Sequence, residues 1–383
     1  GSTGGGTTIT IEGQNFGTSG ACTVHFNAST VSVLSRTQST ITFTLPAGVG
    51  IGHEVWVEIE GQNSNIVFFG YDAPNIENIS PYHGSTGGGT TITIEGQNFG
   101  TTGTCTVKVG LNNGVVLDRN DTCINFTLPT GVGTNVAISI LIGGISSNTI
   151  LFNYDAQNIS FLSPDHGPTS GGTTIFIWGQ NFGTTGTQSV SFGGQNVPIL
   201  ERNHTCIQIT LPAGVGTNLP IQVQIAGQLS NFGQFSYDAP TITAITPDHA
   251  PTQGGTIITI WGENFGNTGS CVIHFGSGTV VALQRDHTSI NFTLPEGLGR
   301  NHEIWVEIEG QSSGKTTFNY DPPTITSISP EHATPDGGSV VFIHGFNFGD
   351  TGICTVHFGN GVAVLLMRNN TCIIIIGPAC TGR

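Results

Sequence analysis

Three sets of residues have types and spacings that could do chemistry: cysteines, asparagines in Asn-x-Ser/Thr sequons, and histidines beside acids. The cysteines fall into register. Cys22, Cys105, Cys271 and Cys354 differ by multiples of 83 residues, and so do Cys123, Cys206 and Cys372. Only two stretches hold one member of each set, so the expected disulfides are Cys105–Cys123 and Cys354–Cys372. Each would close a loop of about 18 residues, worth roughly 3 kcal/mol in the loop-entropy model; buried free thiols are the alternative. Cys22, Cys206 and Cys271 lack a local partner and read as small buried hydrophobes or as intermolecular links. Cys380 lies off the pattern and is the best candidate for a link elsewhere. No second Cys pair or close Cys/His set completes a zinc tetrahedron.

The sequons are Asn27, Asn78, Asn120, Asn125, Asn158, Asn203, Asn291 and Asn369. Asn120, Asn203 and Asn369 share one repeat position, in a polar turn after an arginine, and are the favoured N-glycan sites in a eukaryotic source. His83, His166, His249 and His332 also share a position, with Asp155, Asp165, Asp238 and Asp248 nearby. A Ca²⁺ site there would need six to eight oxygens, and two or three carboxylates do not supply them. No metal or other cofactor is therefore expected. No nucleophile, base and orienting acid stand at compatible positions, so an enzyme is not expected. The outward face of one strand, opposite Val55, Val57 and Ile59, carries Trp56 with Glu58, and again Trp305 with Glu307. These four residues are interface candidates, because aromatic anchors are common in interfaces. The competing reading is a Trp lying flat on its own sheet.

The elements that position these residues follow from the repeat. Asn-Phe-Gly begins at Asn15, Asn98, Asn181, Asn264 and Asn347, each step 83 residues; Tyr71, Tyr154, Tyr237 and Tyr320 keep the same step. That period suits one small domain rather than a solenoid unit. The modules are residues 1–73, lacking the first strand; 74–156; 157–239; 240–322; and 323–383, lacking the last strands. Within the second module apolar residues alternate with polar ones, as in Ile92 and Ile94 of Thr90–Glu95. Asn112-Asn113-Gly114 reads as a hairpin turn, and about seven short strands read as an antiparallel β-sandwich. Gly88-Gly89 suits a tight turn, Gly100 a positive φ, and Phe99 a core plug. Short linkers carrying Pro74, Pro240, Pro322 and Pro323 predict semi-rigid stacking of modules.

Ile79-Ser80-Pro81, Gly88-Gly89-Thr90, Ile92, Ile94, Gly96 and Asn98-Phe99-Gly100 resemble the signature of IPT/TIG domains, the immunoglobulin-like modules of plexin-type receptors and some transcription factors. Ser163-Pro164, Thr246-Pro247 and Ser329-Pro330 repeat its opening. The resemblance covers essentially the whole chain. It implies an all-β, linear tandem array of immunoglobulin-like β-sandwich modules, and only loosely a stalk or adhesion role.

Composition narrows the function. The chain of 383 residues has 9 Lys and Arg against 24 Asp and Glu, a net charge of −15, and only 9% charged residues. An acidic, Lys-poor surface repels nucleic acid and anionic lipid, so no nucleic-acid partner is expected and transcription-factor use is disfavoured. The apolar runs Val362–Met367 and Ile373–Ile376 are too short for a bilayer helix, so no membrane-spanning segment is expected in this span. The expected localisation is extracellular or cell surface. The first reading is a non-catalytic structural subunit of an extracellular filament or stalk. Its partners would be other copies or a continuing chain, through strand addition at the incomplete end modules. The alternative is the ectodomain of an adhesion or receptor protein. A weaker one is a spacer array on a secreted polysaccharide-acting enzyme.

Overall fold

The computed structural model describes residues 1–379, which are all strand, turn and loop; Cys380 lies outside them. The architecture is the expected all-β, immunoglobulin-like array. Two compact units divide it. One comprises Gly1–Phe161, Phe176–Ile209 and Ile221–Gly233; the other comprises Leu162–Ile175, Thr210–Pro220 and the chain from Gln234 onward, so the division passes through the third module.

The second module, inside the first unit, serves as the pattern. Its first sheet orders the strands Asn75–Ser80, Thr91–Gln97, Cys123–Thr127 and Asn112–Arg119. Its second sheet orders His83–Gly84, Ile150–Tyr154, Val136–Ile142, Cys105–Val109 and the start of Asn112–Arg119. His83–Gly84 runs parallel to Ile150–Tyr154; the other pairs are antiparallel. Period-two alternation fills the space between the sheets. Ile92, Ile94, Phe99, Ile124 and Phe126 meet Val107, Val109, Ile138, Ile140 and Phe152, all buried. Such burial contributes about 1.5–3 kcal/mol per large side chain, which is why a register slip of one residue is excluded.

Glycine chemistry sets two turns. The hairpin turn is Gly110-Leu111, not Asn112-Asn113-Gly114, which pair within the ladder opposite Val109, Lys108 and Val107. The physical reason is that Gly110 takes φ 59° at the first turn position, leaving the asparagines free to extend. Gly100 has φ 59° as expected, with Phe99 buried beneath it.

On the edge strand of the first sheet every module has a β-bulge at one leucine: Leu34, Leu117, Leu200, Leu283 and Leu366. Each of the five is more than half exposed. In the fifth module the second sheet is reduced to His357–Phe358 with Gly361–Val362, and a cavity of about 540 Å³ lies against Ile325, Phe348, Ile353 and Val356.

Candidate functional site: module joints and outer faces

Each joint is built from three short motifs. A Ser-Thr or Pro-Thr pair at the start of one module supplies a buried threonine. The Gly-Val-Gly loop near its end supplies an apolar side chain. In the next module the glycine of Asn-Phe-Gly meets the apolar side chain, and Asp121, His204, His287 or Asn370 meets the threonine hydroxyl.

In the first unit, buried Thr3 donates its hydroxyl to Asp121 Oδ1, and Asp121 Oδ1 also accepts the Gly100 N–H at 3.0 Å. At the next joint the hydroxyl of Thr86, fully buried, lies 3.5 Å from His204 Nδ1, and Ser85 Oγ donates to Asn181 Oδ1 at 3.0 Å. In the second unit, Thr169 Oγ1 lies 3.0 Å from His287 Nδ1, and Thr252 Oγ1 donates to Asn370 Oδ1 at 2.6 Å. Thr169 and Thr252 also donate their N–H groups to Asn264 and Asn347 at 3.3 and 3.4 Å. The asparagines of the turn hold φ near 61–63° and donate back to the linker carbonyls of Ala73, Ala156, Ala239 and Pro322.

Steric fit completes the joint. A Cβ on Gly100, Gly183, Gly266 or Gly349 would lie 2.3, 2.4, 2.2 or 2.4 Å from Val49, Val132, Val215 or Leu298. These glycines therefore serve a close approach as well as a positive φ. Gln228 and Gln311 add bonds of 3.0 Å to the carbonyls of Tyr154 and Tyr237. The same tyrosines anchor the loop from within their modules, donating to Pro129 and Pro212 at 2.9 and 2.7 Å. Burial pushes the hydroxyls of Tyr154, Tyr237 and Tyr320 up to about 12. Neutral through the physiological range, they remain donors.

Sequence reasoning missed the threonines. Threonine is common in this chain, and only the identical Gly1–Thr10 and Gly84–Thr93 openings hinted at a role.

The histidines at the module starts close their own modules. His83, His166 and His249 place Nδ1 2.7, 2.7 and 2.6 Å from Asp155, Asp238 and Asp321. Hydrogen bonding and charge from the aspartate raise His166 and His249 above their ordinary pKa. Among the described residues no group of three or more His, Cys, Asp or Glu is arranged to hold a metal.

The expected disulfides are corrected. All seven described cysteines are free thiols. Cys105 packs on the core with Val107 and Val109, whereas Cys123 stands opposite Glu95 on the outward side of the other sheet, alternating with buried Ile124. Strand parity therefore leaves the first sheet between the two thiols, with Cys105 facing its inner side and Cys123 on its outer side. Cys354 and Cys372 repeat this: Cys354 packs on the core, and Cys372 faces outward beside buried Ile373. Arg119 hydrogen-bonds the Cys105 thiol, but burial still pushes that thiol up. Cys22 and Cys271 pack against their cores, and Cys206 is buried outright.

Trp56 and Trp305 are half-buried on their own sheets. Trp56 stacks on His25 with centroids 3.6 Å apart, and Trp305 on His274 at 4.4 Å. Glu58 and Glu307 lie 3.3 and 3.7 Å from those histidines, and Lys315 covers Trp305 at 4.7 Å. One face of each indole is thus occupied within its module, as in the competing reading.

A fold of stacked two-sheet sandwiches joined at Asn-Phe-Gly turns defines a tandem immunoglobulin-like array. The IPT/TIG domain model matches residues 1–71, 74–154, 158–237, 240–320 and 323–382, and the chain belongs to that family. It is 25% identical over 360 residues to Fibrocystin-L of Homo sapiens, covering 88% of this chain and 8% of that protein. It is 24% identical to Fibrocystin-L of Mus musculus, covering 96% of this chain and 9% of that one. The chain thus spans less than a tenth of these curated relatives. Among solved structures, the full extracellular region of Plexin A4 matches with 17% identity and a TM-score of 0.25, over 97% of this chain and 42% of that one.

Proposed function

We propose that this chain is a non-catalytic spacer segment of an extracellular or cell-surface protein, in which docked IPT/TIG modules hold other parts of the molecule at a fixed separation. The observation that carries this is the joint. A buried, hydrogen-bonded threonine and a glycine covered by the preceding module recur at successive joints within each unit. A flexible tether has no use for such fitted contacts. Similarity to Fibrocystin-L, of which this chain equals only a small share, favours a segment of a large protein over a filament subunit. Side-by-side association with other copies is the second reading, favoured by the exposed aromatic residues Phe342 and Phe346 on the outward side of the fifth module's first sheet.

Paired spin labels on neighbouring modules test the spacer reading. Narrow distance distributions are expected at each joint, and broad ones would refute it. Labelling of intact cells with an impermeant reagent tests the location. Sedimentation across a concentration series separates the spacer from the self-associating form.

A further inference from the structure

Eight sequons share one three-residue formula, but the fold places them in different environments. In the turn after each repeated arginine, Asn120 Oδ1 accepts the Thr122 N–H at 2.9 Å and the Thr122 hydroxyl at 3.2 Å. Asn203 does the same with Thr205, and Asn369 with Thr371, at 2.9 and 3.2 Å each. All three residues are exposed. Their Oδ1 is occupied by the turn, which directs the Nδ2 side of the carboxamide to solvent. The threonine hydroxyl already touches the amide it must assist.

The other sequons lack this arrangement. Asn125 sits mid-strand with both carboxamide atoms engaged, donating to Asp118 at 2.9 Å and accepting from Thr93 at 2.7 Å. Asn291 is half-buried within Ser289–Thr293, with its Oδ1 buried. Asn27 has both atoms committed, to the Glu54 N–H at 2.9 Å and to His53 at 2.7 Å. Asn78 donates to Glu95 at 3.3 Å from within a strand, and Asn158 also lies in a strand. In extended backbone the hydroxyl two residues on is roughly 6.5 Å away along the chain and does not reach the carboxamide.

We propose that Asn120, Asn203 and Asn369 are the N-glycan attachment sites of this chain and that the remaining sequons are unoccupied in the folded protein. The donor class is a lipid-pyrophosphate-linked oligosaccharide. The amide nitrogen bonds to the anomeric carbon and releases one hydrogen as a proton. The bond from that carbon to the pyrophosphate oxygen breaks, and the lipid pyrophosphate leaves with its electron pair. A sugar on Asn125 or Asn291 would break the sheet, so chains carrying it would not fold; a sugar on the exposed turn leaves the Oδ1 cap intact. The turn is a structural constant of the array. Asp286 forms it in the fourth module, accepting the Thr288 and Ser289 N–H groups at 2.7 Å each. Thr37 forms it in the first, accepting the Thr40 N–H at 3.0 Å.

The proposal rests on the extracellular reading, so the test supplies the route. The full chain is secreted from mammalian cells behind an added leader, and glycopeptides are mapped by mass spectrometry with and without an N-glycosidase. Expected are glycans at Asn120, Asn203 and Asn369 and none at Asn27, Asn78, Asn125, Asn158 or Asn291. D286N places a sequon before Thr288 in the same turn and should gain one glycan. T37N does so before Ser39 and is the second variant should D286N not be secreted. N120D, N203D and N369D keep the cap that Asp286 already makes, and each should lose one glycan without loss of secretion. Glycans at Asn27, Asn78, Asn125, Asn158 or Asn291 on secreted protein, or secreted D286N or T37N without a glycan, would overturn the proposal. An intracellular native protein whose leader-driven form is modified as expected would refute the extracellular reading alone.

Discussion

Replacing Gln157 by proline should stabilise the third module. Gln157 opens that module and is 3% exposed, yet neither Oε1 nor Nε2 has a hydrogen-bond partner. The equivalent positions hold Pro74, Pro240 and Pro323, and Pro74 and Pro240 are buried. The preceding residue is alanine in three cases, Ala73, Ala156 and Ala239, so the same backbone accepts a fixed φ. A buried polar group left unsatisfied costs about 1–3 kcal/mol. Proline at a compatible position adds about 0.4–1 kcal/mol through the unfolded state. The ring also gives up some of the packing of the longer glutamine stem. A net gain of about 1–3 kcal/mol follows, or roughly 5–160-fold in the opening equilibrium. Five modules do not unfold in one step, so a single melting temperature would mislead. Hydrogen exchange resolved to Asn158–Ser163 in the full chain reports the right module. Gln157→Leu separates the two contributions, since it removes the amide without fixing φ. Unchanged protection in both variants would show that the amide is not a burden. A gain in the proline variant alone would assign the effect to chain entropy and refute the argument from unsatisfied atoms.

The joint yields a second prediction. Thr86→Val and Thr169→Val keep shape but remove the hydroxyl, and each should cost about 1 kcal/mol, read as faster exchange at its own joint and unchanged exchange in the module cores. Gly100→Ala places a Cβ 2.3 Å from Val49 at φ 59°, so a loss above about 1 kcal/mol is expected, partly restored by pairing it with Val49→Ala. The His166–Asp238 and His249–Asp321 pairs give a pH prediction. The folded histidine pKa lies above the unfolded one, so the stabilisation is complete below the unfolded value of about 6.5 and is lost as pH rises through the folded value. Asp238→Asn and Asp321→Asn should remove that dependence and return the histidine titrations, followed by proton NMR, toward ordinary values.

The fold was legible because its signals are repeated and local. Ile92 and Ile94 alternate with polar neighbours, and a slip of one residue would expose both. Phe99 and Gly100 likewise declare a plugged turn. The cysteines misled because co-occurrence in a module says nothing about facing. Cys105 follows the parity of Val107, Cys123 that of Asn125, and only the sheet assignment reveals that these are opposite sides. The joint threonines were invisible for a different reason. Their role depends on a residue 118 positions away, as from Thr86 to His204, and no local pattern carries such a contact. The two tryptophans stood out as types, but their stacking on His25 and His274 is a cross-strand relation that needs the register.

What recurs in all five modules and what varies now separate by cause. The glycine of Asn-Phe-Gly recurs because all five hold a positive φ, and at Gly100, Gly183, Gly266 and Gly349 a neighbouring side chain also leaves no room for a Cβ. The arginine recurs because it ties down the turn that follows Asn-Phe-Gly, as Arg119 does to the carbonyls of Thr102 and Gly103 at 2.6 and 3.0 Å. The bulge leucine recurs although it is exposed, so core packing does not explain it. It sits on the edge strand, where a bulge twists the ladder out of register for an incoming strand. Apolar side chains there would otherwise invite pairing between copies at every module. The turn at Asn120, Asn203 and Asn369 lies just beyond that strand, so the glycan proposed there would guard the same edge that the bulge disrupts. Together the bulge and that glycan would keep copies from pairing at their sides.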